Sequence, residues 1–363
     1  MVSMSKNVTI YTIAEEAGIS AATVSRYLTG SANVSEVNRK KIEKIIKKYN
    51  FRPNAIARNL ANQETKTLGL VLPDVTAPFY GTVFLEIERV ALEMGYSILL
   101  CNTMNDNIIT NTNVEARYID FLLEKQIDGL IMIGGHIDNL RADPGYLERV
   151  KNIIGRVPVV MINGEIRGLD CYHVRNNNEA GIYQLVDYLV SLNHEKIAFI
   201  GGYVDIQPTV RRIKYMQEAL ARHGIEFNKK WHIEDDFSIQ AGKDSMEKLL
   251  KMEDRPTAVI CVNDMVAVGA LHTARRMGVK VPEEISIAGF DNTYLTKCVV
   301  PEITTVDLQP KRLGRIAVEI LIGHLEGKKI QKETIVDTKL VIRDSCAMTR
   351  QVKIKKGFGL VTS

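Results

Sequence analysis

Apolar positions along this chain follow one period before residue 50 and another from residue 68 onward. Near the N-terminus they recur at helical spacing: Ile10, Ile13, Ala14 and Ala17, then Ala21, Val24 and Leu28, then Ile42, Ile45, Ile46 and Tyr49. This predicts three short helices. Further on, apolar runs of strand length fall at 68–72, 97–101, 129–133, 157–162, 197–200, 258–262 and 285–290. Amphipathic stretches at 81–94, 114–125, 179–192, 210–223, 264–277 and 312–325 lie among them. Strand and helix in alternation predict parallel sheets covered on both faces. So many units suit two similar subdomains better than one small sheet.

Local chemistry marks where the first helices begin and end. Thr9 can cap the first, Gly18 stops it, and Ser20 caps the second after the turn Gly18-Ile19-Ser20. Ala22, Thr23, Ser25 and Arg26 then lie near the start of the second helix, on or beside the face opposite its apolar stripe. Helices so joined form a helix-turn-helix, in which the first turns of the second helix meet base edges in a major groove. Ser35 caps the third helix, whose outer face carries Arg39, Lys40, Lys44, Lys47 and Lys48. Residues 1–65 hold 10 basic and 5 acidic side chains, a net of +5 within a chain total of +4, so the remainder sums to −1. Positive charge is concentrated where a phosphate-contacting domain needs it. A lysine-rich face alone would read as merely solvated; the turn spacing changes that reading.

After Pro53, residues 54–62 are good helix formers, but only nine of them. An isolated helix needs roughly 12–15 residues to be marginal in water, so this one is expected to order only against something. Leu60 is the large apolar side chain in a small, polar segment. It suits a wedge between base steps in a minor groove; the plain alternative is a linker with an incidental leucine.

At 363 residues and 45% hydrophobic content the chain can bury the cores of two or three domains. Cys101, Cys171, Cys261, Cys298 and Cys346 are scattered without metal-type spacing, which suits a reducing cytosol. No secretory leader or apolar run of transmembrane length is read, so a cytoplasmic protein without membrane contact is expected. No nucleophile elbow, zinc-protease helix or phosphate loop occurs, and the histidines are dispersed. An enzyme is therefore not expected, nor a cofactor, nor a metal.

The text TIAEEAGISAATVSRYLTGSANVS, then RPNAIARNLA, then LGLVLPDVTAPFY, in that order and spacing, resembles the lactose-repressor/galactose-repressor (LacI/GalR) family of bacterial transcription regulators. The likeness covers roughly residues 8–345 and ends at VIRDS. It implies an N-terminal all-α helix-turn-helix domain at 8–52, a short hinge helix and linker at 53–65, and an α/β periplasmic-binding-protein-like core with parallel sheets at 66–346. Three crossings would divide the core into an N-subdomain (66–174 and 307–334) and a C-subdomain (175–306 and 335–346). The tail, 347–363, shows no heptad and reads as disordered or accessory. By position, Ala21, Ala22 and Arg26 would face bases, with Thr9, Ser20, Thr23 and Ser25 around them. Leu60 would enter the minor groove at the operator centre, with Ala57 beside it and Asn54 and Arg58 along the same segment. Alanine at 21 and 22 leaves contact with thymine methyls as what those positions can read.

Open α/β sheets bind ligands outside the carboxyl ends of their strands. Here several strands end in polar or turn residues: Pro73-Asp74, Asn102-Thr103, Gly134-Gly135, Asn163-Gly164, Asn263-Asp264 and Asp291-Asn292. Any one of these could simply cap the following helix. The resemblance implies that Phe79 and Tyr80 floor the pocket, that Arg211 (next to Arg212) is the effector-binding arginine, and that Asn263 and Asp291 grip sugar hydroxyls. A guanidinium and a carboxylate in one cleft, as Arg211 and Asp291 would be, can each bind vicinal hydroxyls bidentately; an interdomain salt bridge is the bland alternative. Asn163 stands where many members carry Asp, and Asn177-Asn178 where Asp-Asn is common. Both departures remove negative charge, which fits either a less hydroxylated ligand or an anionic one.

The expectation is a homodimeric repressor of carbohydrate-metabolism genes. It would bind a pseudo-palindromic double-stranded operator and answer to a sugar or sugar-phosphate effector. Ligand closing the cleft would shift the N-subdomains and melt the hinge helices. Co-repression by a purine or by a phosphorylated carrier protein is the alternative within the family. A solute-binding protein is the remote one.

Overall fold

The computed structural model describes residues 8–28, 34–49, 51, 64–103, 114–141, 143–166 and 168–349. The hinge segment, with Asn54, Ala57, Arg58 and Leu60, lies outside the described residues, as does 350–363. The chain forms two compact units that divide between Thr65 and Lys66.

The first unit holds α1 (Ile10–Ala17), α2 (Ala21–Leu28) and α3 (Glu36–Tyr49). Thr9 caps α1 through a reciprocal pair: the Thr12 amide donates to Thr9 Oγ1 at 3.4 Å and the Thr9 amide to Thr12 Oγ1 at 3.2 Å. Gly18 closes the helix at φ 63°, the left-handed region that glycine enters at little cost. Ile13, Ala14, Ala17, Val24, Val34, Ile42 and Ile45 make the core. Each buried isoleucine there contributes roughly 1.5–3 kcal/mol relative to exposure. Tyr49 departs from the expected inner face. It is exposed, with the Lys48 ammonium 4.8 Å from its ring centroid, because the 14-residue α3 outruns the eight-residue helices it packs on; Ile46 and Phe51 close the core instead.

The second unit has two lobes. One sheet contains β1 (Thr67–Leu72), β2 (Ser97–Asn102), β3 (Gly129–Ile133), β4 (Val159–Ile162), β5 (Tyr172–Asn176) and β11 (Glu333–Val336), in the order β11-β5-β4-β3-β1-β2, all parallel. The other contains β6 (Ile197–Ile200), β7 (His232–Ile233), β8 (Ala258–Cys261) and β9 (Ser286–Ala288), ordered β7-β6-β8-β9 and also parallel. A short antiparallel pair, β10 (Thr305–Asp307) with β12 (Lys339–Val341), completes the strands. The central strands β3, β4, β6 and β8 are buried along their whole length, which is why they read as unbroken apolar runs.

Helices α4 (Pro78–Glu93) and α11 (Pro310–Leu325) pack together on one face of the first sheet. Helices α5 (Val114–Glu124) and α6 (Pro144–Ile154) cover the other. Around the second sheet pack α7 (Asn178–Ser191) with α8 (Gln207–Arg222), and α9 (Ile239–Leu250) with α10 (Asp264–Arg276). The α9–α10 contact depends on glycine. A Cβ on Gly242 would lie 2.1 Å from the Val266 carbonyl oxygen, and one on Gly269 2.0 Å from that of Ile239. Strands β5 and β11 pair in register as far as Asn176–Val336. The first tail residues are docked rather than loose: buried His194 Nε2 donates to the Ala347 carbonyl at 3.0 Å, and the Thr349 amide donates to Leu192. Among the described residues no helix is long and apolar enough to cross a membrane.

Candidate functional sites

In the first unit, the start of α2 is held by Ser20, whose Oγ accepts from the Thr23 amide at 3.2 Å and lies 2.9 Å from Thr23 Oγ1. Ser20 and Thr23 therefore spend hydrogen-bonding capacity on capping, as Thr9 does at α1. Burying Val24 turns the opposite face outward. Ala22 and Arg26 are exposed there, while Ala21 and Ser25 are half-buried. An outward methyl and guanidinium are what a groove reader needs, one for a thymine methyl and the other for guanine O6 and N7. Behind α2, the Tyr27 hydroxyl donates to Glu43 at 3.1 Å and ties it to α3. Lys48 pairs with Glu16 at 2.5 Å, but Lys40, Lys41, Lys44 and Lys47 are exposed and meet no carboxylate among the described residues. Tyr11, 71% exposed at the start of α1, drew no attention in the sequence because its place in the apolar pattern is uninformative.

In the second unit, residues that follow strands of both parallel sheets meet at the lobe boundary: Tyr80 and Asp138 of one lobe interact with Arg212 and Asp291 of the other. Phe79 packs against the cores of both lobes. Tyr80 stands edge-on to it, ring centroids 5.5 Å apart. The Tyr80 hydroxyl lies where a Cβ on Gly134 would come within 2.7 Å, so only glycine suits that turn, at φ 68°. Burial, and then the carboxyls of Asp138 and Asp291, hold its pKa above the ordinary tyrosine value.

The expected Arg211–Asp291 pairing is corrected by one residue. Successive positions on a helix point roughly 100° apart, so α8 sends its two arginines to different partners. Arg211 Nη2 donates to Glu165 Oε2 at 3.1 Å and to Gln207 Oε1 at 3.0 Å, at the lobe boundary. Arg212 is buried. Its Nη2 lies 3.9 Å from Asp291 Oδ1, its Nη1 donates to the Val262 carbonyl, its Nε donates to Asn178 Oδ1 at 3.3 Å, and its guanidinium covers Phe290 at 4.0 Å. Asp291 sits at φ 117°, and burial pushes its carboxyl up while Arg212 pulls it down.

The two amides are largely committed elsewhere. Asn163, at φ 63°, accepts from the Asn176 amide at 2.8 Å and donates to Asn176 Oδ1 at 2.9 Å. Asn263 Oδ1 caps α10 by accepting from the Val266 amide at 2.8 Å, and its Nδ2 donates to the Phe237 carbonyl at 3.0 Å. The capping reading accounts for most of what Asn263 does.

Three features were not visible in the sequence pattern. Asp138, in the short 3₁₀ turn Gly135–Asp138, is buried with its Oδ1 unpartnered among the described residues; burial and neighbouring Glu115 push its pKa to about 7, against Arg211 and Arg212. Glu115 is also buried and raised to about 7. It accepts from the His136 amide at 3.0 Å and the Tyr146 hydroxyl at 2.5 Å. The lobes are joined where Gln207 Nε2 donates to the carbonyls of Glu165 and Asn139 at 2.9 and 3.2 Å, and the Leu140 amide donates to Asp205 at 2.8 Å. Among the described residues no group of three or more His, Cys, Asp or Glu could hold a metal ion.

Residues 9–54 match the model of the bacterial regulatory proteins, lacI family, and residues 186–346 match a periplasmic binding protein-like domain. The chain is 31% identical to the HTH-type transcriptional repressor PurR of Photobacterium profundum, over 93% of this chain and 98% of that one. It is 33% identical to catabolite control protein A of Priestia megaterium, over 92% and 96%. Among solved structures, it resembles the lac repressor dimer bound to operator and the anti-inducer ONPF with a TM-score of 0.82 at 25% identity, covering 94% of this chain and 100% of that one.

Proposed function

Because the chain belongs to the lacI family of bacterial regulatory proteins, and its relatives are transcriptional repressors rather than enzymes, we propose that this repressor acts as a cytoplasmic homodimer on a pseudo-palindromic operator under control of a small sugar effector. The exposed Ala22 and Arg26 read the major groove. Asn54, Ala57, Arg58 and Leu60 form a hinge that folds against the minor groove, with Leu60 as its wedge. Phe79, Tyr80, Arg212 and Asp291 hold the effector, with Asn263 at their edge; Arg211 braces the lobes, and Asn163 ties the ends of β4 and β5 through Asn176. The target genes serve carbohydrate metabolism. Support for dimer and operator comes from the lac repressor dimer, which is bound to operator.

The observation that carries the effector reading is the buried Arg212 facing Asp291 at 3.9 Å, at the strand ends of one lobe and opposite Tyr80 from the other. Such a pair is costly to bury unless its hydrogen bonds are completed, and a hydroxylated ligand completes them. A second reading has one observation in its favour. Tyr203 and Phe237, edge-to-face at 6.4 Å and both following strand ends of the same sheet, suit a planar ring such as a nucleobase. The test selects an operator from random DNA, then measures its affinity with and without free sugars, purine bases and nucleosides. One of these compounds should change the affinity at least tenfold, and Arg212→Ala should abolish that change while leaving ligand-free DNA binding intact. A response that survives Arg212→Ala sinks the cleft assignment.

A further inference from the structure

We infer that the cleft takes an uncharged ligand bearing hydroxyl or amide donors and excludes phosphorylated ones, with Asp138 as a further ligand contact; this rests on the effector reading above. Arg211 is occupied by Glu165 at 3.1 Å, and Arg175, which shares that carboxylate at 3.2 Å, is also paired with Glu333 at 3.3 Å, so the two arginines and two glutamates sum to zero. Arg212 faces Asp291 from its own lobe and interacts with Asp138 from the opposite one. A single buried guanidinium thus lies among three carboxyls, those of Asp291, Asp138 and Asp264. The guanidinium stays charged. With Asp264 raised only to about 6, and so largely ionised at neutral pH, the group sums to zero when Asp138 and Asp291 both hold protons and is negative when either ionises. Burial raises Asp138 to about 7 and pushes Asp291 up as well, so near neutral pH the group lies between zero and negative.

A phosphate monoester carries about −1.5 to −2. It would enter a buried group with no net positive charge and lose its hydration without Coulombic return. A ligand hydroxyl or amide N–H instead donates to Asp138 Oδ1, the buried oxygen left without a partner among the described residues. The asparagines that lower the formal negative charge do not open a positive field. Asn163 is bonded to Asn176, Asn177 caps α7, and Asn178 accepts from Arg212.

The experiment is thermal melting of the full-length protein with matched pairs at constant ionic strength: glucose and glucose 6-phosphate, ribose and ribose 5-phosphate, adenosine and adenosine monophosphate, with inorganic phosphate alongside. The uncharged member of a pair should raise the melting temperature, and its phosphorylated partner and inorganic phosphate should not. Asp138→Ala should then weaken the responding ligand at least tenfold, whereas Asp138→Asn, which keeps shape and an acceptor, should keep most of the affinity. A phosphorylated member that shifts the melt as much as its parent, with the shift lost in Arg212→Gln, overturns this inference and leaves the effector reading standing. Unchanged affinity in Asp138→Ala removes Asp138 from the site. If no member of any pair shifts the melt, the effector reading falls and this inference with it.

Discussion

Arg211 and Arg212 are neighbours in the chain, yet one braces the lobes and the other lies buried against Asp291. Truncating them should separate these roles. Arg212→Ala removes the cation beside buried Asp291 and abolishes the effector response. Arg211→Ala loosens a part-exposed pair that, after solvent screening, is worth at most about 1 kcal/mol, so the response should persist with affinity changed less than about fivefold in a ligand titration. Glu115 carries a pH effect. Its folded pKa, about 7, lies above the ordinary 4.5, so the folded state keeps a proton that the unfolded chain releases. Stability from this group is full below pH 4.5 and is lost as pH rises through 7, by on the order of 3 kcal/mol. Urea midpoints at pH 5.5 and 8 should differ less in Glu115→Gln than in the unaltered protein; equal slopes would refute the assignment. Glu115 was not marked by sequence, since it occupies an ordinary helix position and becomes special only when Gly135 and Tyr146 enclose it.

At the scale of elements, helix starts were legible because capping is local. Thr9, Ser20 and Ser35 each precede a helix as their side chains demand. The apolar period missed α6, α9 and the short strands β5, β7, β10, β11 and β12, whose exposed or brief faces give little periodicity. The α9–α10 crossing makes its own prediction. Gly269→Ala places a methyl against the Ile239 carbonyl, where backbone must move. Overpacking of this kind costs roughly 1–3 kcal/mol, and a melting temperature lowered by a few degrees should register it. For the hinge, Leu60→Ala should cost operator affinity at least tenfold while leaving the response of the isolated cleft to ligand intact. Unchanged operator affinity would return that segment to a plain linker.

For the whole molecule the deciding quantity is charge. The net +5 of residues 1–65 sits against a near-neutral remainder, and on α3 Lys40, Lys44 and Lys47 share one stripe at i, i+4 and i+7. If all three meet phosphates, replacing them with Gln should reduce the slope of log affinity against log salt by up to about 3. A slope that does not change identifies a solvated face. In the core, joining the lobes at Gln207 and Leu140 sets Phe79 against both cores and brings Tyr80 and Asp138 opposite Arg212.

The chain by itself determined what depends on neighbours in sequence: the capped helix-turn-helix, the concentration of lysine beside it, the parallel sheets implied by unbroken apolar runs, and polar residues at the strand ends. Tertiary structure alone decided which of two adjacent arginines meets Asp291, that Asn163 turns to Asn176, and that Asp138 is left with a buried oxygen unmatched among the described residues. Those outcomes depend on side chains contributed by segments far apart in the chain. Sequence periodicity states which face of an element is buried, but not which residue of another lobe will stand across from it.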